Sequence, residues 1–154
     1  MGTLEAVVPV QLVTGRVGCR SLNVMFDLYL DEQSNNATAF SASIFDAVIR
    51  KEIVASGMTL RKYFIDAWES ETEGPASLFY SLEESHVRIE TWPAERHVQG
   101  EVQLCNFSKD NEGAAQGLAN CIIAVLNPVL WEKLLIHRGP GTAFHVREFE
   151  ERRS

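Results

Sequence analysis

The stretch Glu83-Glu84-Ser85-His86 gathers two carboxylates, a hydroxyl and an imidazole between two runs of strand-like sequence. A hydroxyl can attack a carbonyl, while an imidazole or carboxylate moves its proton. The flanking runs read as strands because their apolar residues recur every second position. Leu78, Tyr80 and Leu82 alternate with Ser77, Phe79 and Ser81, and Val87, Ile89 and Thr91 alternate with His86, Arg88 and Glu90. Pro93 ends the second run, having no N–H to give a ladder. A serine-hydrolase reading fails: there is no Gly-x-Ser-x-Gly elbow, and neighbours on a strand point to opposite faces. His86, Glu90 and His97 match no known ligand spacing, so no metal is expected. A thiol completes the set of reactive groups. Cys105 falls on the polar parity of a third alternating run, with Gln99, Glu101 and Gln103 and opposite Val98, Gly100, Val102 and Leu104.

The elements that must hold these groups follow from the same periodicities. Leu22, Val24, Phe26, Leu28 and Leu30 mark a strand that is apolar on one face. A polar loop covers Asp31 to Thr38. Ile44, Phe45, Val48, Ile49 and Ile53 then form one stripe of a helix, which Ser41 or Ser43 could cap and Gly57 could end. Thr59 to Trp68 reads as strand, with Leu60, Lys62, Phe64, Asp66 and Trp68 on one face and Tyr63 and Ile65 on the other. Glu69 to Pro75 is an acidic loop. Ala115, Leu118, Ala119, Ile122 and Leu126 stripe a second helix, from Glu112 to Leu126, which Pro128 stops. Two closing strands, Glu132 to His137 and Thr142 to Phe149, flank Gly139-Pro140-Gly141. Two helices and a mostly antiparallel sheet predict a two-layer α+β sandwich, the sheet covered on one face by the helices. Before Arg20 the pattern is weaker: Val7, Val8 and Val10 allow a strand that Gly15 and Gly18 interrupt.

Bulk properties narrow the function. A chain of 154 residues, 45% hydrophobic and 23% charged, fits one globular domain with a single core. A net charge of -7 argues against a nucleic-acid partner, which needs clustered Lys and Arg. No apolar run reaches membrane-spanning length and no signal-peptide pattern opens the chain, so a cytoplasmic location with no membrane partner is expected. Cys19, Cys105 and Cys121 are too scattered for a disulfide framework. Cys121 reads as a small core residue, and Arg152-Arg153 as part of a solvated tail.

Glu84-Ser85-His86, followed by Ile89 and Thr91-Trp92-Pro93, resembles the processing site of the small prokaryotic S-adenosylmethionine decarboxylase proenzymes. The resemblance covers most of the chain from about Phe26, and its specific part is the window from Ser77 to Cys105. It implies cleavage between Glu84 and Ser85, which converts Ser85 to a pyruvoyl cofactor. Ser77 stands where the family has a processing serine and Cys105 where it has the catalytic cysteine. His86 completes the motif, and Trp68 lies near where the family stacks an aromatic ring on adenine. The family core starts near Leu22, so residues 1–20 read as an N-terminal extension, 21–150 as the domain and 151–154 as a tail. A homodimer is implied as well. The chain departs from the family at two places. Glu90 replaces a histidine, and Ala94 stands where a glutamate follows Trp-Pro.

The implied chemistry makes three demands. Ser85 must attack the Glu84 carbonyl, with Ser77 as one possible oxyanion donor. A base, here Glu90, must then remove the Ser85 α-proton. Finally the substrate amine joins the pyruvoyl group as a Schiff base, and Cys105 returns a proton after carbon dioxide leaves. The expected substrate is S-adenosylmethionine, in the service of spermidine synthesis. Ala94 leaves room for a basic amino acid, arginine or ornithine, in its place. Glu90 opens a further reading, a non-cleaving homologue that acts as a binding or regulatory partner.

Overall fold

The computed structural model describes residues 5–10, 20–69, 74–106, 109–139 and 143–152, with backbone alone over 5–10 and 143–146. Its strands are β1 (Glu5–Val10), β2 (Ser21–Tyr29), β3 (Leu60–Ala67), β4 (Ala76–Leu82), β5 (Ser85–Trp92), β6 (His97–Cys105), β7 (Leu130–Arg138) and β8 (Ala143–Glu151). The helices are α1 (Asn36–Ala39), α2 (Ala42–Ala55) and α3 (Glu112–Leu126), with a 3-10 turn at Pro93–Glu95. All strands pair antiparallel in one sheet, in the order β1-β8-β7-β2-β6-β5-β4-β3. Helix α3 lies on β2 and β6, and α2 on β3 and β4. The result is the α+β sandwich anticipated from the sequence, with the single-turn helix α1 added at the end of the predicted polar loop.

One face of the sheet forms the core against the helices. Leu22, Val24, Phe26 and Leu28 of β2 meet Val98, Val102 and Leu104 of β6, Val87 and Ile89 of β5, and Leu78 and Tyr80 of β4. Each such side chain gains about 1.5–3 kcal/mol from burial, and a one-residue slip would turn its whole row to solvent. That penalty fixes the register. Gly100 of β6 lies directly opposite Phe26, whose ring fills the glycine's missing side-chain space. A Cβ there would lie 2.0 Å from the ring.

Helix boundaries follow the local chemistry. The Ser41 hydroxyl accepts from the Ile44 N–H at 3.5 Å, so Ser41 caps α2, and Gly57 ends it with a positive φ of 74°. Asn127, at φ 48°, performs the same left-handed termination for α3 just before Pro128.

Three expectations need correction. A bulge between Leu60 and Lys62 breaks the period-two count of β3, so Leu60 turns to the helix side while Lys62, Phe64 and Asp66 stay on the other. Cys121 is exposed, because position 121 lies outside the α3 stripe of Ala115, Leu118, Ala119, Ile122 and Leu126. Arg152 is no free tail residue. Its backbone N–H bonds the Val129 carbonyl at 2.6 Å, and its guanidinium reaches Asp31 at 2.5 Å and the Asn127 carbonyl at 3.3 Å. The segment read as an extension contributes β1, which pairs with β8 in the same sheet. Cys19, Gly15, Gly18, Pro140, Gly141 and Arg153 lie outside the described residues.

Candidate active site

The β4–β5 hairpin turns at Glu83-Glu84, between the paired residues Leu82 and Ser85. Two-residue hairpin loops ordinarily take primed turns, which need a positive φ. Neither glutamate has one. The turn is instead held from outside. The Glu83 N–H donates to the Thr59 carbonyl at 3.0 Å, and the Cys105 N–H donates to the Glu84 carbonyl at 3.1 Å. That carbonyl belongs to the Glu84–Ser85 peptide. Asn111 completes the cradle: its Nδ2 donates to Glu84 Oε2 at 2.6 Å and to the Cys105 carbonyl at 2.8 Å. A cavity of about 140 Å³, lined by Leu82, Glu84, Leu104 and Asn111 among others, opens on the helix side of the turn.

Ser85 pairs with Leu104 and shares its parity, so it faces the helix layer, while His86 faces the uncovered side. Both are half-buried. The adjacent serine and histidine therefore diverge, as strand geometry requires. Cys105, also half-buried, touches the turn through its backbone, and its parity sends the thiol to the uncovered face.

On that face His86 stacks against Phe79, ring centroids 5.7 Å apart, with Nε2 3.8 Å from Glu101 Oε1. Asn23 donates from Nδ2 to the same Glu101 oxygen at 2.7 Å. Asn23 is only 7% exposed, and its Oδ1 is buried without a hydrogen-bond partner.

Ser77, Glu90 and Trp68 form a second group towards the other end of the same strands. The Ser77 hydroxyl donates to Glu90 Oε2 at 2.5 Å, and Arg88 Nε lies 3.2 Å from Glu90 Oε1. Trp68 meets Trp92 edge-on, centroids 5.1 Å apart. Glu90 is five residues along β5 from Ser85, roughly 17 Å at strand rise. Within one chain, Ser77 and Glu90 therefore do not meet the Glu84–Ser85 bond. His97 is engaged elsewhere, 2.8 Å from Asp27 Oδ1 and stacked on Tyr29. Among the described residues no group of three His, Cys, Asp or Glu side chains could hold a metal ion, and no helix is long and apolar enough to cross a membrane.

Asn111 and Asn23 are the site residues that sequence reasoning passed over. Asn111 had a signal, an amide just before a predicted helix, but that pattern reads as an ordinary cap. Asn23 gave only the polar parity of its strand.

The architecture is an antiparallel sheet backed on one side by helices, with its polar and reactive residues at the β4–β5 turn and on the uncovered face. That fold is the fold of S-adenosylmethionine decarboxylases. The chain is similar to the crystal structure of the adenosylmethionine decarboxylase from Aquifex aeolicus VF5, with a TM-score of 0.66 and 18% identity, over 84% of this chain and 93% of that one. It is also similar to the Trypanosoma brucei AdoMetDC-delta26 monomer, with a TM-score of 0.53 and 12% identity, over 87% of this chain and 66% of that one. No family model and no curated protein matches the chain. At these identities the likeness establishes the fold.

Proposed function

We propose that this chain is a pyruvoyl-dependent decarboxylase of the S-adenosylmethionine type, cleaved by its own residues between Glu84 and Ser85. The observation that carries the proposal is the Cys105 N–H at 3.1 Å from the Glu84 carbonyl oxygen, in a turn that supplies Ser85 as the next residue. A donor fixed on that oxygen stabilises the negative charge formed when a nucleophile adds to the carbon, and removing one such donor from an enzyme costs about 100- to 1000-fold in rate.

The balance of the processing reaction follows from the residues. Ser85 Oγ bonds to the Glu84 carbonyl carbon, the C–N bond breaks, and the hydroxyl proton passes to the Ser85 nitrogen. The product is an ester of unchanged composition. A base then takes the Ser85 α-proton, and the Glu84 carboxylate leaves as a carbon–carbon double bond forms. Water replaces ammonia to give the pyruvoyl group. Once formed, that group supplies an electron sink for loss of the substrate carboxylate. Cys105 is the thiol assigned to protonate the substrate α-carbon. Its side chain and His86 lie on the uncovered face while Ser85 points to the helix side, so the chain end freed by cleavage must turn towards them for the two to meet.

A homodimer through the uncovered face accounts for the separation of the two groups. Met25, Tyr29, Phe64, Trp68 and Phe79 share that face and are exposed, an arrangement typical of a surface that meets a partner. A two-fold axis near the middle of β4 and β5 brings the Ser77–Glu90 pair of one protomer towards the Ser85 turn of the other. Ser77 and Glu90 then act across the interface, and Trp68 approaches the face of the partner that carries His86 and Cys105.

One observation favours a second reading. Both Glu90 oxygens are engaged, one by Ser77 and one by Arg88, which leaves a carboxylate poorly placed to abstract a proton. A chain blocked at elimination would serve as a binding or regulatory homologue.

Mass spectrometry of the purified chain, with hydrazide labelling of carbonyls, separates the readings. Two fragments divided at Glu84–Ser85, the second carrying the label, are expected. A chain that stays whole and unlabelled on prolonged incubation rules out the processed enzyme. Carbon dioxide release from S-adenosylmethionine, arginine and ornithine then identifies the substrate, expected to be the first.

A further inference from the structure

We infer that Asn111 is a positioning residue for the Glu84–Ser85 bond, holding the Glu84 side chain and the Cys105 carbonyl so that the N–H of the same cysteine stays on the carbonyl to be attacked. The inference deepens the processing reading above and rests on it.

Asn111 closes a ring of contacts around the bond. Asn111 Nδ2 spends one hydrogen on Glu84 Oε2 at 2.6 Å and the other on the Cys105 carbonyl at 2.8 Å, while the Cys105 N–H reaches back to the Glu84 carbonyl at 3.1 Å. One amide thus ties both ends of the contact that matters for acyl transfer. Asn111 also forgoes an ordinary bond to make these contacts. It stands at the N-cap of α3, where an asparagine side chain ordinarily accepts a backbone N–H of the first turn, a bond worth about 1 kcal/mol. Here its side chain makes no cap bond, and Asp110 Oδ1 takes the Glu112 N–H at 3.0 Å instead. The residue is held firmly in place. Asn111 is 3% exposed, its own N–H donates to Asn106 Oδ1 at 2.7 Å, and its carbonyl accepts from Ala115 at 3.0 Å. The donor therefore belongs to the helix–sheet scaffold and not to a mobile loop. Since the turn lacks the φ values that would shape it locally, such outside contacts set the attitude of the peptide.

The test follows the first chemical step alone. Hydroxylamine splits the ester formed by Ser85 attack, so fragment release in its presence reports that step whether or not Glu90 completes elimination. Asn111→Ala is expected to lower this release about 10- to 100-fold, the worth of a hydrogen bond to a charged group, with circular dichroism unchanged. Asn111→Asp keeps the shape but sets a carboxylate against Glu84. Its release, normalised to wild type at each pH, should be equally low near neutrality and recover as pH falls towards the carboxylate range, where a protonated carboxyl donates again. Among the described residues the other titratable groups near the position are Glu83 and Glu84 of the turn, Lys109 and Asp110 of the preceding loop, Cys105 of β6, and Glu112 of α3 with its neighbour His137 of β7, all common to every variant. A variant pH profile parallel to wild type, or Asn111→Ala cleaving at the wild-type rate, overturns the positioning role. Loss of the fold in both variants does so too, by making Asn111 structural. Absence of hydroxylamine-released fragments from wild type and from Glu90→His alike overturns the processing reading itself, and the Asn111 role with it.

Discussion

Ser77 donates its hydroxyl hydrogen bond to Glu90 directly across the β4–β5 ladder, on the uncovered face and five residues beyond the turn that holds Ser85. Two residues singled out for one reaction are thus bound to each other and remote from the bond they are meant to serve. On the proposed reading the pair either acts on a second protomer or keeps the chain silent. Experiments on Glu90 and on the uncovered face decide between these.

Replacing Glu90 by histidine should speed elimination at least about tenfold near neutral pH, because an imidazole is matched to proton abstraction there. It also removes the acceptor that Ser77 and Arg88 now engage. The readout is the rate at which hydrazide-labelled C-terminal fragment accumulates. An unchanged rate would mean that Glu90 is already a competent base, or that position 90 takes no part in the reaction.

Association through the uncovered face predicts that a charge at Met25, on the central strand β2, disrupts the dimer. Met25→Lys should sediment as a monomer with an intact circular dichroism spectrum, and its processing should fall in parallel as Ser77 and Glu90 lose access to the partner's turn. A variant that remains dimeric at micromolar concentration would move the interface elsewhere.

The Arg152 guanidinium, hydrogen-bonded to Asp31, holds that carboxyl down to about 2 from its ordinary 3.8. A lowered folded-state value stabilises the fold above the unfolded-state value, and the contribution is lost as pH falls through the folded one. The urea midpoint of wild type should therefore exceed that of Asp31→Asn above about pH 4, the gap closing between 4 and 2. Because the pair is solvent-accessible the gap is modest and shrinks with salt. A gap that persists at pH 2 would show that the carboxylate's charge is not its source.

The sequence by itself determined the two long helices, the central strands, the layer they build and which face of those strands is buried. Those features follow from periodicity, since burial of Leu22, Val24, Phe26 and Leu28 admits one register and Gly57 and Pro93 stop their elements by backbone geometry alone. The hairpin bearing Glu84-Ser85 and the polar parity of Cys105 were legible for the same reason. Period counting failed where one residue was added, at the β3 bulge that turns Leu60 inward. It was also silent on contacts between elements distant in the chain. That Asn111 serves Glu84 across 27 positions, that Arg152 ties back to Asp31 across 121, and that Ser77 lies remote from Ser85 although only eight residues before it, are matters of strand pairing and helix placement. A side chain's type states which bonds it can make; only the packed sheet and helices decide which partner comes within 3 Å.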